Sequence, residues 1–99
     1  MKSIMQKDER CYLCKMAIGT ENHHVMFGPN RKYSDQDGLT VRLCWECHHL
    51  KAHKASTDEA KQLHIDGQMA WEEYYGPALI AEGKDPRNAF MERYGKNWL

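Results

Sequence analysis

Two short stretches decide the fold of this chain: Cys11-Tyr12-Leu13-Cys14, and Cys44-Trp45-Glu46-Cys47, which is followed directly by His48. In each stretch two residues separate the cysteines, a spacing that lets both thiolates of a tight turn reach one tetrahedral metal ion. The two pairs are separated by 29 residues. Four protein thiolates would close the coordination shell, so the sequence predicts a structural Zn²⁺ held by Cys11, Cys14, Cys44 and Cys47.

Length and compartment favour metal over the other uses of cysteine. A chain of 99 residues with only two phenylalanines buries a small core and needs a further source of stability. Residues 1–10 contain five charged side chains and no apolar run, so we expect no secretory signal there. No later stretch could span a bilayer, so we expect a cytoplasmic protein. Disulfides do not persist in a reducing compartment and remain the minor alternative. A redox dithiol would be expected beside a βαβ pattern, which is absent from the sequence.

Local patterns around the two pairs predict an α+β core. The first pair, followed by Gly19, suits a knuckle on a hairpin. Residues 22–27 are predicted as a strand with His24 at its middle, ended by Gly28-Pro29. Residues 34–38 predict a turn or a single helical turn, and residues 39–43 alternate like a half-buried strand, which makes a hairpin. The second pair is expected at the start of a helix that runs to His53.

The C-terminal half predicts two helices. Ser56 or Thr57 caps the first helix, which runs to about Tyr75 and is ended by Gly76-Pro77. Asp85-Pro86 begins the second, and Gly95 stops it. The residues expected to face inward are Ala60, Leu63, His64, Trp71 and Tyr74 in the first helix, and Phe90, Met91 and Tyr94 in the second. The prediction is one domain over 1–99, with a core over 11–53 and a helical extension over 57–99.

The histidines carry information that a structural zinc would not require. Five of the six lie at positions 23, 24, 48, 49 and 53, within or beside the segment that the cysteines hold. Neighbours on a strand point to opposite faces, so His23 and His24 are hard to satisfy together as core residues. We therefore interpret His23 and His24 as having two different functional roles, one on each face of the strand.

This arrangement of a Cys-x-x-Cys pair, a histidine pair on a strand and Leu43-Cys44-x-x-Cys47-His48 opening a helix resembles the HNH, or ββα-metal, endonuclease family over about residues 11–53. The resemblance implies a small, zinc-stapled, treble-clef-like core. It implies that His24 is the general base and that His23 and His48 bind a catalytic divalent cation. His53 is available as a third ligand, although His49 and His53 would share a face more cleanly on a regular helix.

The resemblance also implies an activity and a substrate. The activity is hydrolysis of DNA phosphodiester bonds, by nicking or by double-strand cutting, with Mg²⁺, Mn²⁺, Ni²⁺ or Zn²⁺. Arg31 and Lys32 follow the base strand, and with Lys51 they could contact phosphates. Small members of this kind occur in bacteriophages, which would place the protein in the host cytoplasm. Without a separate recognition domain, specificity would come from dimerisation or from a phage protein partner.

Charge limits the way in which DNA would be held. The formal net charge is zero, which argues against a protein that holds DNA by phosphate neutralisation alone. The distribution is uneven, because residues 29–54 contain five lysines and arginines against three acidic residues. We therefore expect a locally basic face on a neutral body.

One family feature is missing. The asparagine that normally precedes the second strand and braces the loop behind the base is replaced by Gly38-Leu39. Asn30 is the predicted substitute in the catalytic set beside His24 and Arg31, unless the loop is braced in another way.

Two other functional classes compete with the nuclease. A non-catalytic zinc-binding module that contacts nucleic acid or protein would explain the cysteines but would leave His23, His24 and His48 unexplained. An interaction protein with a second structural zinc would have a closed coordination shell. Replacement of His24 separates these hypotheses, because a nuclease would lose cutting and keep its fold.

Overall fold

The computed structural model describes residues 1–52, 54 and 56–99. Its two strands form one antiparallel sheet, so the predicted α+β class is confirmed. No helix in this described part of the chain is both long and apolar enough to cross a membrane. In chain order the elements are strand β1 (Thr20–His24), a 3-10 turn (Gly28–Asn30), helix α1 (Arg31–Asp37), strand β2 (Thr40–Cys44), a π-helical segment (Cys47–Ala52), helix α2 (Asp58–Ala81) and helix α3 (Pro86–Tyr94).

The two strands pair over their whole length. Thr20 lies opposite Cys44, and His24 lies opposite Thr40. The predicted position of His24 at the middle of its strand is wrong, because β1 ends there. Val25 and Met26 are both buried, which breaks the alternation that a continuing strand would show. His24 therefore lies at the end of the sheet, where the chain turns away.

The connection between the strands contains a helix rather than a simple turn. Helix α1 begins at Arg31 and ends at Asp37, and it is capped by Gly38, whose φ is +79°. A Cβ at position 38 would lie 2.5 Å from the carbonyl oxygen of Lys2, so both the backbone angle and the space require glycine. The N-terminal segment packs here, since the Ile4 amide donates to the Gly38 carbonyl at 2.9 Å. The predicted hairpin is confirmed, with α1 in its connection.

Helix α2 is longer than predicted. It begins after Thr57, whose hydroxyl accepts from the Ala60 amide at 3.1 Å, as a cap should. It does not end at Gly76-Pro77 but continues to Ala81 with Pro77 inside it. The carbonyl that Pro77 cannot bond belongs to Glu73, which is exposed to solvent.

Two residues predicted to face inward are exposed. Tyr74 is 56% exposed and Met91 is 40% exposed, whereas Phe90 and Tyr94 are buried. Phe90 and Tyr94 lie four residues apart on α3 and stack with centroids 4.7 Å apart. They set the inner face of α3 and leave Met91 outside it.

A buried carboxylate joins the three helices. Asp37, at the end of α1, accepts from the Trp71 indole at 2.9 Å and from the Tyr94 hydroxyl at 2.7 Å. The Arg93 guanidinium donates to both of its oxygens, at 2.6 and 2.9 Å. Burial and the bond to Asp37 raise the pKa of the Tyr94 hydroxyl well above its usual value. These contacts fix α2 and α3 against the helix that follows the candidate base.

Candidate metal and catalytic site

The four predicted cysteines come together. Their sulfur atoms all lie within 4.8 Å of one another, and this group could hold a metal ion. Cys14 Sγ and Cys44 Sγ are 3.6 Å apart, which joins the two pairs. Within each pair an amide points at a sulfur: the Cys14 N–H donates to Cys11 Sγ, and the Cys47 N–H donates to Cys44 Sγ, both at 3.4 Å. Four such donors in this spacing fit a structural zinc or a similar soft cation.

The first pair is shaped by a tight turn. Lys15 has a φ of +68°, and its amide donates to the Cys11 carbonyl at 2.8 Å. The Tyr12 hydroxyl donates to the Asp66 carboxylate on α2 at 2.9 Å. Burial, together with this bond, raises the pKa of Tyr12 to about 12. The turn is thereby attached to the longest helix.

The sulfur atoms differ in acidity. Burial acts to raise the pKa of Cys11, but amides of Cys14, Cys44 and Leu13 outweigh it and lower that pKa to about 6. Burial and the neighbouring thiols raise the pKa of Cys47. Backbone dipoles therefore favour negative charge at Cys11, and a bound cation would favour it at all four sulfurs.

Most of the predicted catalytic residues line one open cleft of about 390 Å³. His23 is buried, and its ring lies edge-on to the His48 ring with centroids 5.0 Å apart. His24 is half-buried on the opposite side of the strand from His23. The cleft is lined by Asn22, His23, His24, Phe27, Arg31 and His48.

The orientation of His24 is set by a carboxylate that the sequence interpretation missed. His24 Nε2 lies 3.2 Å from Oδ1 of Asp35 on α1. An ionised carboxylate only accepts, so Nε2 carries the hydrogen and Nδ1 of the neutral ring keeps a lone pair. The contact therefore selects the tautomer in which Nδ1 can take a proton.

Ser34, rather than Asn30, connects the backbone behind His24. The Ser34 hydroxyl accepts from the Met26 amide at 3.2 Å and donates to the Leu39 carbonyl at 2.5 Å. Ser34 is fully buried. Asn30 instead donates to the carbonyl of Tyr94 at 2.9 Å, which ties the 3-10 turn to the end of α3. The sequence offered no signal for Ser34 beyond its place in a predicted turn.

A second carboxylate, also missed, joins the histidines of the π-helical segment. Glu21 Oε1 lies 3.1 Å from His49 Nε2 and 3.4 Å from His48 Nδ1. One ligand atom from each of these three residues falls within 4.8 Å of the others, a second group that could hold a metal ion. Hydrogen bonds from His48 and His49 lower the pKa of Glu21. The strand's alternation could have indicated Glu21, since it shares a face with His23.

The predicted cationic residues divide between two places. Arg31 lines the histidine cleft, and with Lys32 it also lines a shallow extension that includes His24 and Asp35. Lys51 is exposed on the π-helical segment and does not line the cleft. His53, the predicted third ligand, lies outside the described residues.

Comparisons of the chain with protein-family models, with curated proteins and with solved structures find no match.

Proposed function

We propose that this chain is a metal-dependent endonuclease of the HNH type that hydrolyses DNA phosphodiester bonds. The observation that carries the proposal is the single open cleft lined by His23, His24, Arg31 and His48. A module that only binds zinc would not need an oriented imidazole at an open cleft beside an arginine. The order of knuckle, antiparallel hairpin and second cysteine pair before a helical segment supports a treble-clef-like ββα-metal core with a structural zinc.

His24 acts as the general base in this proposal. Nδ1 accepts a proton from the attacking water, while the water oxygen forms a bond to phosphorus and the bond from phosphorus to the leaving oxygen breaks. Asp35 stabilises the imidazolium that results, as a carboxylate behind a catalytic histidine does. Arg31 offers a guanidinium to the phosphate oxygens, with Lys32 beside it. A base positioned in this way contributes about 100-fold to 10,000-fold in rate.

The candidate residues also fit a divalent cation. His48 belongs to the donor group with Glu21 and His49, and its ring contacts His23. A bound cation would stabilise negative charge on the phosphate and on the leaving oxygen. Imidazole donors with one carboxylate favour transition metals such as Mn²⁺, Ni²⁺ or Zn²⁺ over Mg²⁺.

Cleavage of supercoiled plasmid tests the proposal. Purified protein is assayed with Mg²⁺, Mn²⁺, Ni²⁺ or Zn²⁺, with and without a chelator, beside His24→Ala and Arg31→Ala. Arg10→Ala is the matched control, since Arg10 is exposed and does not line the cleft. We expect metal-dependent nicking that falls at least 100-fold in His24→Ala, falls less in Arg31→Ala and is unchanged in Arg10→Ala.

Thermal unfolding and metal content of each variant show whether the fold is retained. If the folded wild-type protein fails to cut DNA with every cation tested, the nuclease proposal is contradicted. If that protein still binds DNA, the zinc-binding module is favoured. A His24→Ala protein that loses its metal and its fold would favour a second structural metal site.

A further inference from the structure

A second cleft, of about 480 Å³, adjoins the histidine cleft. The Phe27 side chain lines both clefts and forms the wall between them. Phe27 follows His24 by three residues, just beyond the end of β1. A strand of DNA whose phosphate reached His24 would therefore pass the opening of this second cleft.

Three flat rings form its apolar wall. The His64 ring lies between the other two, with its centroid 5.1 Å from Phe27 and 4.8 Å from Trp98. The planes of His64 and Trp98 are inclined by only 32°. Burial, and then the charge of Lys96, lower the pKa of His64, so its ring is neutral near pH 7. Nucleic-acid bases pack well against neutral aromatic surfaces of this kind.

Trp98 is held in place by a buried side chain. Its amide donates to Oε1 of Gln68 at 2.7 Å, and Gln68 is fully buried in α2. Gln68 Nε2 in turn donates to Oδ1 of Asn97 at 2.7 Å. The wall is thus positioned by the protein before any ligand arrives, which lowers the entropic cost of binding.

The charge of the cleft is positive. Lys61 and Lys96 line it and are exposed, and Lys96 Nζ lies 5.5 Å from the centre of the Trp98 ring. None of the described lining residues is acidic. Aromatic rings beside lysines match a ligand with a flat base and a phosphate.

We infer that this cleft binds one nucleotide of the DNA strand, next to the phosphate that is cleaved. The base packs against Trp98, whose ring is supported by the buried His64 ring, and the phosphate of the same nucleotide lies near Lys61 and Lys96. The inference rests on the proposed function, because it places the neighbouring phosphate at His24. The cleft would then be a subsite that holds the DNA strand with its scissile phosphate at His24.

Abasic scanning of a short DNA strand tests the subsite. A fluorescein-labelled, 12-nucleotide single strand is compared with versions that lack the base at one position in turn, by fluorescence anisotropy without added divalent cation. We expect loss of one particular base to weaken binding by about 5-fold to 100-fold. Trp98→Leu should remove most of this difference, and Lys61→Gln should lower the dependence of log Kd on log salt by about one unit. Lys84→Gln, an exposed lysine outside this cleft, is the matched control.

The two proposals can fail separately. A flat abasic scan on a protein that nicks plasmid would overturn the subsite and leave the nuclease standing. A position-dependent scan on a protein that never cuts would leave the subsite standing and overturn the nuclease. If Trp98→Leu does not fold, the decision rests on the scan of the wild-type protein and on the salt dependence of Lys61→Gln against Lys84→Gln.

Discussion

The four-cysteine group and the histidine cleft are both built around the β1–β2 hairpin but differ in access to solvent. Of the cysteines, Cys11, Cys44 and Cys47 are at most 5% exposed. The two carboxylates beside the histidines are open instead, since the side chains of Asp35 and Glu21 are 64% and 47% exposed. The four-cysteine group, here called the closed region, is covered by its own chain except at Cys14, which is exposed. The histidine cleft, here called the open region, faces solvent.

The partners of the donor atoms differ in the same way. Cys11 Sγ and Cys44 Sγ each receive a hydrogen bond from the amide three residues further along, which the turn itself supplies. The imidazoles contact side chains from other elements, such as Asp35 for His24 and Glu21 for His48. A closed site built from local backbone suits a structural ion, and an open site built from side chains suits a reaction.

The largest effect is expected when the closed region is broken. Cys44→Ser removes the sulfur of the second pair that lies 3.6 Å from Cys14 Sγ of the first pair. A structural metal in a chain this small contributes several kcal/mol, so the free energy of unfolding should fall by more than about 5 kcal/mol. We expect loss of one equivalent of bound metal and of the near-UV circular dichroism signal. A Cys44→Ser protein that kept its metal and its fold would show that the group is not structural.

The features that could be predicted from sequence are those that depend on residues close together in the chain. The spacing of Cys11 and Cys14, and that of Cys44 and Cys47, needs no knowledge of distant residues, and the group is confirmed as one that could hold a metal. The start of α2 was predicted at Ser56 or Thr57, and Thr57 is the cap. The end of α3 at Gly95 was also predicted from a single residue and is confirmed.

The failures involve contacts between distant parts of the chain. Strand alternation could place Glu21 on the same face as His23, but it gives no sign that Glu21 reaches His48, 27 residues away. Helix α2 continues past Gly76, where Pro86 of α3 packs against it. A Cβ at position 76 would lie 3.6 Å from the Pro86 side chain. Local rules stopped that helix at Pro77 because they contain no information about the packing beyond it.

A smaller effect is expected from Ser34→Ala, a change that should disturb the open region and leave the closed region intact. Ser34→Ala leaves the Met26 amide without its buried partner, which costs about 2 kcal/mol. The Leu39 carbonyl loses the Ser34 hydroxyl but still accepts from the Val25 amide at 3.0 Å. The substitution should also displace the backbone behind His24, so plasmid nicking should fall by more than the loss of stability explains. Metal content should stay at the wild-type value.

The matched control for Ser34→Ala is Ser56→Ala, an exposed serine just before α2. Unfolding in urea gives the free energies, and nicking rates are compared at a temperature where both variants are folded. Loss of bound metal in Ser34→Ala would contradict the separation, because it would mean that the two regions unfold as one unit.

The smallest effect concerns acid. Burial lowers the pKa of His64 below its ordinary value of 6.5. As the pH falls, His64 is therefore protonated in the unfolded chain before it is protonated in the folded protein. Stability should therefore fall as the pH drops through about 6.5, until His64 is protonated in the folded protein as well. His64→Phe keeps a ring between Phe27 and Trp98 without a group that titrates. We expect the unfolding temperature of the wild-type protein to fall further between pH 7.5 and 5.5 than that of His64→Phe.

The thermal scans are run with excess zinc, because protons also compete with a metal for the thiolates. Parallel curves for the two proteins would mean that His64 is not protected from protonation, and that the acid response belongs to the cysteines and to the other histidines.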